Sequence, residues 1–316
     1  ADAALAGWLA LRGLRLGGRR IPQAAWLAGL FVLGLVDWLG VGRTLLSFRP
    51  AQAVLAQGQA AAERLLWDAA RLPAGSSGEL FRTYSPSYSL PQQTAAFYAL
   101  QLADGVDPLQ LSAYVDFMRQ ASGVPGVGYS VTLPPFAGGD PRHDNAAYSP
   151  DAAQLGLLNV AYVLAEFDLH APGLELLDRV GTTRIYRNRE ARPRAWIQPA
   201  DAALGAAYRR VERLDWSPDR ISLKAAGPGL LVLSELDYPG WWARVDGGPR
   251  QAPLAPGELL RAVQLGPGEH IVEFGFSPAS LWLGLAAALA GLAWLAWLAI
   301  GSRLGGWRAA RQEAQL

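Results

Sequence analysis

Cysteine is absent from the 316 residues, which excludes disulfides and thiolate metal sites and is compatible with an exported domain. Net charge is scarce as well. Twenty-eight Lys and Arg stand against 27 Asp and Glu, a formal charge of +1, so no broadly basic face points to nucleic acid. Lysine occurs once, at Lys224, and the remaining cations are arginine, a skew of genome composition. The three histidines, His143, His170 and His270, lie far apart without ligand spacing and read as surface residues. A Walker phosphate loop, GxGxxG after a strand, HExxH and a GxSxG elbow are all missing. No cofactor or metal site is identifiable from the chain.

Long apolar runs are what the chain does have. Residues 280–300, SLWLGLAAALAGLAWLAWLAI, contain neither charge nor proline and lead into Arg303, Arg308 and Arg311. About 20 apolar residues suffice for a helix to cross the roughly 30 Å hydrocarbon core of a bilayer. A second run, residues 21–42, carries one charge, Asp37, and follows Arg12, Arg15, Arg19 and Arg20. Asp37 is an ionisable group inside a membrane-embedded segment and therefore a functional candidate; an interfacial carboxylate or local cap is the plainer role. Arginine collects on the cytoplasmic flanks of membrane helices. Four arginines before the first run and three after the last place both basic ends inside, although Arg43 and Arg49 blur the first half of that rule. The intervening residues are then extracytoplasmic. Residues 1–11 are apolar but too short to span, and are expected to be the tail of an earlier membrane helix, the chain being a fragment of a larger multi-span protein.

Between the two runs the pattern divides. The periodicity predicts a helix over residues 51–72, a loop at 73–78 and a strand over 79–85. Further helices are expected from Pro91 through about residue 103, over 107–123 with Asp107 as N-cap, and over 151–159. Strands follow at 160–167, at 174–189 as a hairpin around Gly181, and at 191–199. From about residue 205, short strands are expected between Gly227-Pro228-Gly229, Gly247-Gly248-Pro249 and Pro267-Gly268, the spacing of a small antiparallel sandwich. The fold class is thus a membrane-anchored α+β chain. Its segments are a tail and basic loop (1–20), a transmembrane helix (21–42), an extracytoplasmic α/β region (43–204), a β-sandwich (205–278), a second transmembrane helix (279–301) and a cytoplasmic basic tail (302–316).

Two local patterns bear on chemistry. GGDPRHDN (138–145) gathers Asp140, His143, Asp144 and Asn145. Its spacing fits no calcium loop, so it reads as a solvated loop. YPGWWARVDG (238–247) places Trp241 and Trp242 on opposite faces of one strand, with Arg244 and Asp246 alongside. An exposed Trp with polar neighbours can stack on a sugar or lie at a membrane interface. The plainer role, both indoles structural, takes precedence; Trp241, Trp242, Arg244 and Asp246 are the glycan-binding candidates.

Several pieces of the chain carry a resemblance. They are Arg82-Thr83-Tyr84-Ser85-Pro86, GVDPLQL (105–111), LLNVAYVL (157–164), ARPRAW (191–196), YPGWWARVDG (238–247) and LGPGEHIVEFGFSP (265–278). In this order, and followed by a last membrane helix, the chain resembles the C-terminal part of the bacterial membrane protein YfhO family. That resemblance implies a multi-span protein similar to GT-C glycosyltransferases, which take a polyprenyl-phosphate-linked sugar and build glycans of the cell envelope outside the cytoplasm. The catalytic carboxylate of that group lies in an outer loop near the N-terminus, so no catalytic residue is assigned to this sequence. The alternative is a non-catalytic glycan-binding or assembly module. The bilayer and a cell-envelope glycan are the expected partners, with no nucleic acid.

Overall fold

The computed structural model describes residues 15–16, 19–20, 23–45, 50–71, 81–126, 130–211 and 213–313. The apolar tail at 1–11 and the loop at 73–78 lie outside the described residues. Strands β1 (Arg15–Leu16) and β2 (Arg19–Arg20) pair antiparallel. Helix α1 (Gln23–Leu45) follows, and no residue of its window Ala25–Arg43 is buried. Asp37 is exposed on it.

The expected single helix over 51–72 is instead two, α2 (Ala51–Ala56) and α3 (Gln59–Ala69). Gly58 at φ 77° separates them, left-handed and pressed to 3.0 Å from the Ser89 carbonyl were it to carry a Cβ. Strand β3 (Arg82–Tyr84) opens a mixed sheet. Helix α4 (Gln92–Phe97) stops sooner than the expected helix: Leu100 N–H reaches back to Ala95 O, and the chain leaves as β4 (Gln101–Leu102) parallel to β3. Strands β5 (Gly105–Val106) and β6 (Thr132–Leu133) form a small ladder. Asp107 therefore caps no helix. Its carboxylate accepts from Leu109 N–H at 2.8 Å in a turn, and α5 (Ser112–Ser122) starts five residues later, ending at left-handed Gly123.

Helix α6 (Ala152–Leu157) is capped by Asp151, which accepts from Ala153 and Gln154. Strand β7 (Val160–Ala165) is buried along its whole length. The hairpin β8 (Leu174–Val180) and β9 (Thr183–Asn188) completes a five-stranded sheet of order β4-β3-β7-β9-β8. Strand β3 is parallel to β4 and β7, and β9 is antiparallel to both of its neighbours, β7 and β8. Both faces are covered. Leu65 of α3 and Ala95 of α4 pack with Tyr162, Leu164 and Ile185, whereas Met118 of α5 and Leu155 of α6 pack with Val163, Ala165 and Tyr186. A sheet covered on both sides needs near-continuous apolar strands, as β7 has.

The second sheet departs from the expected sandwich of short strands. It comprises β10 (Ala195–Gln198), β11 (Arg209–Arg210), β12 (Arg213–Trp216), β13 (Arg220–Leu236), β14 (Trp241–Val245) and β15 (Leu260–Phe276). Strands β13 and β15 are each 17 residues long and pair from end to end. Gly227-Pro228-Gly229 and Pro267-Gly268, expected as turns, lie mid-ladder. Between Gly227↔Gly268 and Gly229↔Leu265, β15 carries one extra residue, a bulge that bends both strands without ending the pairing. The extra residue also inverts side-chain parity on β15: Val263 and Leu265 face the same interior as Val272 and Phe274. That interior is shared by Ile221 and Leu223 from one half of β13 and Leu231 and Leu233 from the other. One sheet thus folds over its own core. The opposite face, with Trp196, Val232 and Ala262, packs on the mixed sheet's helices and strands.

Two residues after β15, α7 runs from Ala279 to Glu313, twelve residues past the expected end of the apolar span. No residue of its window Ala279–Trp297 is buried. Among the described residues two helices, one near each end of the sequence, are long and apolar enough to cross a membrane, and the sequence between them is an α/β region with two large sheets.

A Cβ on Gly227 would lie 1.9 Å from the Gly266 carbonyl oxygen, whereas one on Gly266 would meet nothing within 4 Å. Gly227→Ala is expected to cost about 3 kcal/mol, the scale of a forced backbone shift; Gly266→Ala should cost little. Unfolding midpoints of the two variants, followed by circular dichroism in detergent, check the contrast.

Candidate functional site

The two large sheets meet at a buried cluster of charge. Between Leu233↔Arg261 and Leu236↔Leu260 the β13 strand carries two unpaired residues, Ser234 and Glu235. This bulge takes Glu235 out of the strand's alternation and brings it to Arg82 at the start of β3. Arg82 donates to Leu158 O at 2.9 Å and Ser234 O at 2.7 Å, and its Nη2 lies 3.1 Å from Glu235 Oε2. Arg194 Nε is 2.7 Å from Glu235 Oε1, Arg261 Nη2 is 3.8 Å from Oε2, and Trp216 Nε1 donates to Oε1 at 3.1 Å. Arg194 also donates to Gln101. Arg194 and Arg261 side chains are each only 3 % exposed. Three guanidiniums face one carboxylate, an excess of two positive charges in low dielectric.

Burial alone would raise the Glu235 carboxyl, but the fields of Arg82, Arg194 and Arg261 and the Trp216 hydrogen bond together hold it below its ordinary value. Burial pulls Arg194 and Arg261 down to about 10. Both remain protonated at neutral pH.

A cleft of about 590 Å³ opens over this cluster, with Arg82, Glu235, Arg261, Asp104, Tyr114 and Trp241 among its lining. The Arg261 guanidinium lies 3.5 Å above the Trp241 ring, a cation–π contact. Tyr114 donates to Ala103 O. Three polar atoms on these walls are buried without a hydrogen-bond partner: Arg261 Nη1, Trp241 Nε1 and Asp104 Oδ2. An orphaned buried donor costs about 1–3 kcal/mol. Asp104 Oδ1 accepts from Ser85 N–H at 2.9 Å, yet burial pushes its carboxyl up to about 8. Asp104 is thus a neutral acid at pH 7, and the positive excess of the arginines is not cancelled by it.

The sequence candidates separate in space. Trp241 is buried against Tyr238 and Phe276, with ring centroids at 6.3 and 5.3 Å, and lines the cleft. Trp242 points to the other face of β14, where it covers Gly275 and lies 4.1 Å beneath Arg250. Arg244 is paired with Glu273. Asp246 holds His270 Nδ1 at 2.7 Å and accepts from Ile271 N–H at 2.9 Å. Of the four, only Trp241 lines the cleft. The 138–145 loop is closed by its own groups: Asp144 accepts from Gly138 and Asp140 N–H, Asp140 meets His143 at 2.8 Å, and Asn145 donates to Pro86 O and Pro135 O. Among the described residues no three His, Asp or Glu side chains come together as a metal site.

Arg82, Asp104, Arg194, Glu235 and Arg261 were not singled out by sequence reasoning. Arg82 and Arg194 sit in two of the pieces that carry the family resemblance, but no spacing links residues 82, 194, 235 and 261. No protein-family model, curated protein or solved structure matches the chain.

The two carboxylates have opposite pH signatures. Asp104 has a folded pKa above its unfolded one, so its contribution is full below about pH 3.8 and is lost as pH rises toward 8. Asp104→Asn keeps the acceptor for Ser85 and is expected to flatten that slope, gaining stability at pH 8 relative to pH 5. Glu235, with a depressed pKa, contributes at neutral pH and is lost in acid. Glu235→Gln leaves buried guanidiniums unpaired and should destabilise by about 3–5 kcal/mol. Denaturant titrations of Asp104→Asn at pH 5 and pH 8, and of Glu235→Gln at pH 7 and below pH 4.5, the ordinary value of the carboxyl, check the signs.

Proposed function

We propose that the chain is a membrane-anchored, extracytoplasmic glycan-handling unit of the cell envelope, working with lipid-linked sugars in the manner of GT-C glycosyltransferases. Helices α1 and α7 cross the bilayer with their basic ends in the cytoplasm. Helix α7, 35 residues and about 52 Å long at 1.5 Å per residue, outruns the bilayer, and Arg303, Arg308 and Arg311 lie on its overhanging turns. The central sheets are outside.

The observation that carries this reading is where the cleft sits. Its walls Tyr238 and Trp241 stack against Phe276 at the end of β15. Only Ser277 and Pro278 separate Phe276 from α7. Trp282, in the first turns of that helix, is exposed, as an interfacial indole is. A ligand whose lipid stays in the bilayer therefore reaches the cleft with its head group. Tyr238, the exposed one of the two walls, can stack on a sugar ring.

The cleft favours recognition over bond-breaking. Of the buried carboxylates, Asp104 is pushed up to about 8 and Glu235 is held by three arginines, so neither is free to act as a general base at pH 7; the third carboxylate of the lining, Asp107, is exposed at the mouth and accepts from Leu109 N–H. This supports a second reading, a glycan-binding module without a reaction of its own.

Two measurements test the proposal. The chain lacks cysteine, so single cysteines report topology. Leu109→Cys is expected to react with an impermeant maleimide on sealed cells, and Arg311→Cys only after permeabilisation; the reverse pattern inverts the orientation. The full chain in liposomes should bind a polyprenyl-phosphate hexose or an envelope glycan. Tyr238→Ala, at the exposed wall, should weaken binding about three- to tenfold, and Trp242→Ala should leave it unchanged. Binding to none of these ligands removes the glycan reading. Hexose transfer to an added glycan distinguishes an enzyme from a binding module.

A further inference from the structure

We propose that the floor of the cleft is an oxyanion site that takes the phosphoryl or carboxylate group of an acidic sugar, held by Arg261 and Arg82. The assignment rests on the glycan reading for its sugar alone; the oxyanion half stands on the arginines.

A structural ion-pair cluster has no need of three cations for one anion. Here Arg82, Arg194 and Arg261 are ion-paired with Glu235, and only Arg261 also feels a second carboxylate, Asp237, so the cluster keeps more cation than anion. Arg82 and Arg261 both line the open cleft. Arg261 is fastened on three sides: Nε donates to Leu236 O at 3.1 Å, its plane lies on Trp241, and Nη2 faces Glu235. Its Nη1 is buried and has no partner. Trp241 Nε1, on the same wall, also lacks one. Arg261 Nη1 and Trp241 Nε1 are closed from solvent as well as unpartnered, so an oxyanion in the cleft meets the guanidiniums of Arg82 and Arg261 that line it, and a planar guanidinium matches phosphoryl or carboxylate oxygens.

The acidic groups nearby do not occupy this role. Glu235 already shares its two oxygens among the arginines and Trp216. Asp104, also in the lining, has its carboxyl pushed up to about 8 by burial and so does not compete as an anion. Asp107 stands at the mouth with its carboxylate accepting from Leu109 N–H. Asp237 lies within the field of Arg261, and burial raises its carboxyl. Tyr114 and Tyr238 complete walls wide enough for a sugar beside the anion. The volume of about 590 Å³ falls in the range of small-ligand sites.

The test titrates inorganic phosphate, a hexose 1-phosphate, a hexuronate and the neutral hexose into the full chain in detergent, read by calorimetry and tryptophan fluorescence. Saturable binding of the acidic sugars, weakened by added salt, is expected. Phosphate against hexuronate tells which oxyanion the site prefers. Arg261→Gln should weaken binding about tenfold or more. Because that variant touches a buried cluster, a surface pair guards the result. Leu109 lines the mouth and is 86 % exposed; Leu109→Glu should weaken and Leu109→Lys strengthen binding by about threefold each, with no change in unfolding midpoint. Failure of all three oxyanions to bind, or binding indifferent to both Arg261→Gln and the Leu109 pair, overturns the site. Neutral hexose bound as tightly as its phosphate overturns it too while leaving the glycan reading standing. Phosphate bound with no gain from the attached hexose upholds the oxyanion floor and overturns its sugar.

Discussion

Glu235 joins the two large sheets. Arg82 comes from the mixed sheet, Arg194 from the segment entering the antiparallel one, and Arg261 from its strand β15. One carboxylate at 2.7–3.8 Å from three guanidiniums fixes how β3 meets the end of β13. Buried ion pairs repay desolvation only when their geometry is good and their remaining hydrogen-bonding groups are satisfied. Arg82 meets that condition through Leu158 O and Ser234 O. Arg261 does not, having one nitrogen left over. The same cluster is therefore a structural joint on one side and incompletely satisfied on the side that lines the cleft.

Two bulges make this arrangement possible. The one at Gly227 and Gly266 lets a 17-residue ladder fold over a single core. The one at Ser234 and Glu235 breaks the inward-outward alternation at the point where the strand must present a charge to a neighbouring sheet. Without a bulge, a residue two positions after Leu233 would share its face, among Leu231, Val263 and Phe274. An unpaired carboxylate is too costly to bury there.

The aromatic pair at Trp241 and Trp242 shows how local pattern and tertiary context divide the work. Strand alternation places the indoles on opposite faces, and the structure has them so. Which indole meets solvent, and in what company, follows from elsewhere in the chain. Gly275 leaves room for Trp242, and Arg250 covers it. Arg261 reaches across from β15 to lie on Trp241. Arg244 and Asp246 find partners in Glu273 and His270, so their nearness to the tryptophans in sequence does not make one site of the four.

Local order was legible wherever one residue type dictates a local conformation. The two apolar helices follow from runs of about twenty residues with at most one charge, the 174–189 hairpin from a glycine between alternating strands, and α6 from the short pattern over 151–159. Boundaries slipped where a long-range contact overrode propensity: Asp107 joined a turn against β6, and Leu100 turned back on Ala95 so that Gln101 could join β3. The folded-over sheet and the arginine cluster were decided only in three dimensions. A bulge is a mismatch between two strands forty residues apart, and the four charged residues are scattered over 180 positions. Neither has a period in sequence. What creates both is the need of long strands to close on one core while keeping their hydrogen bonds, and of a buried charge to find its partners.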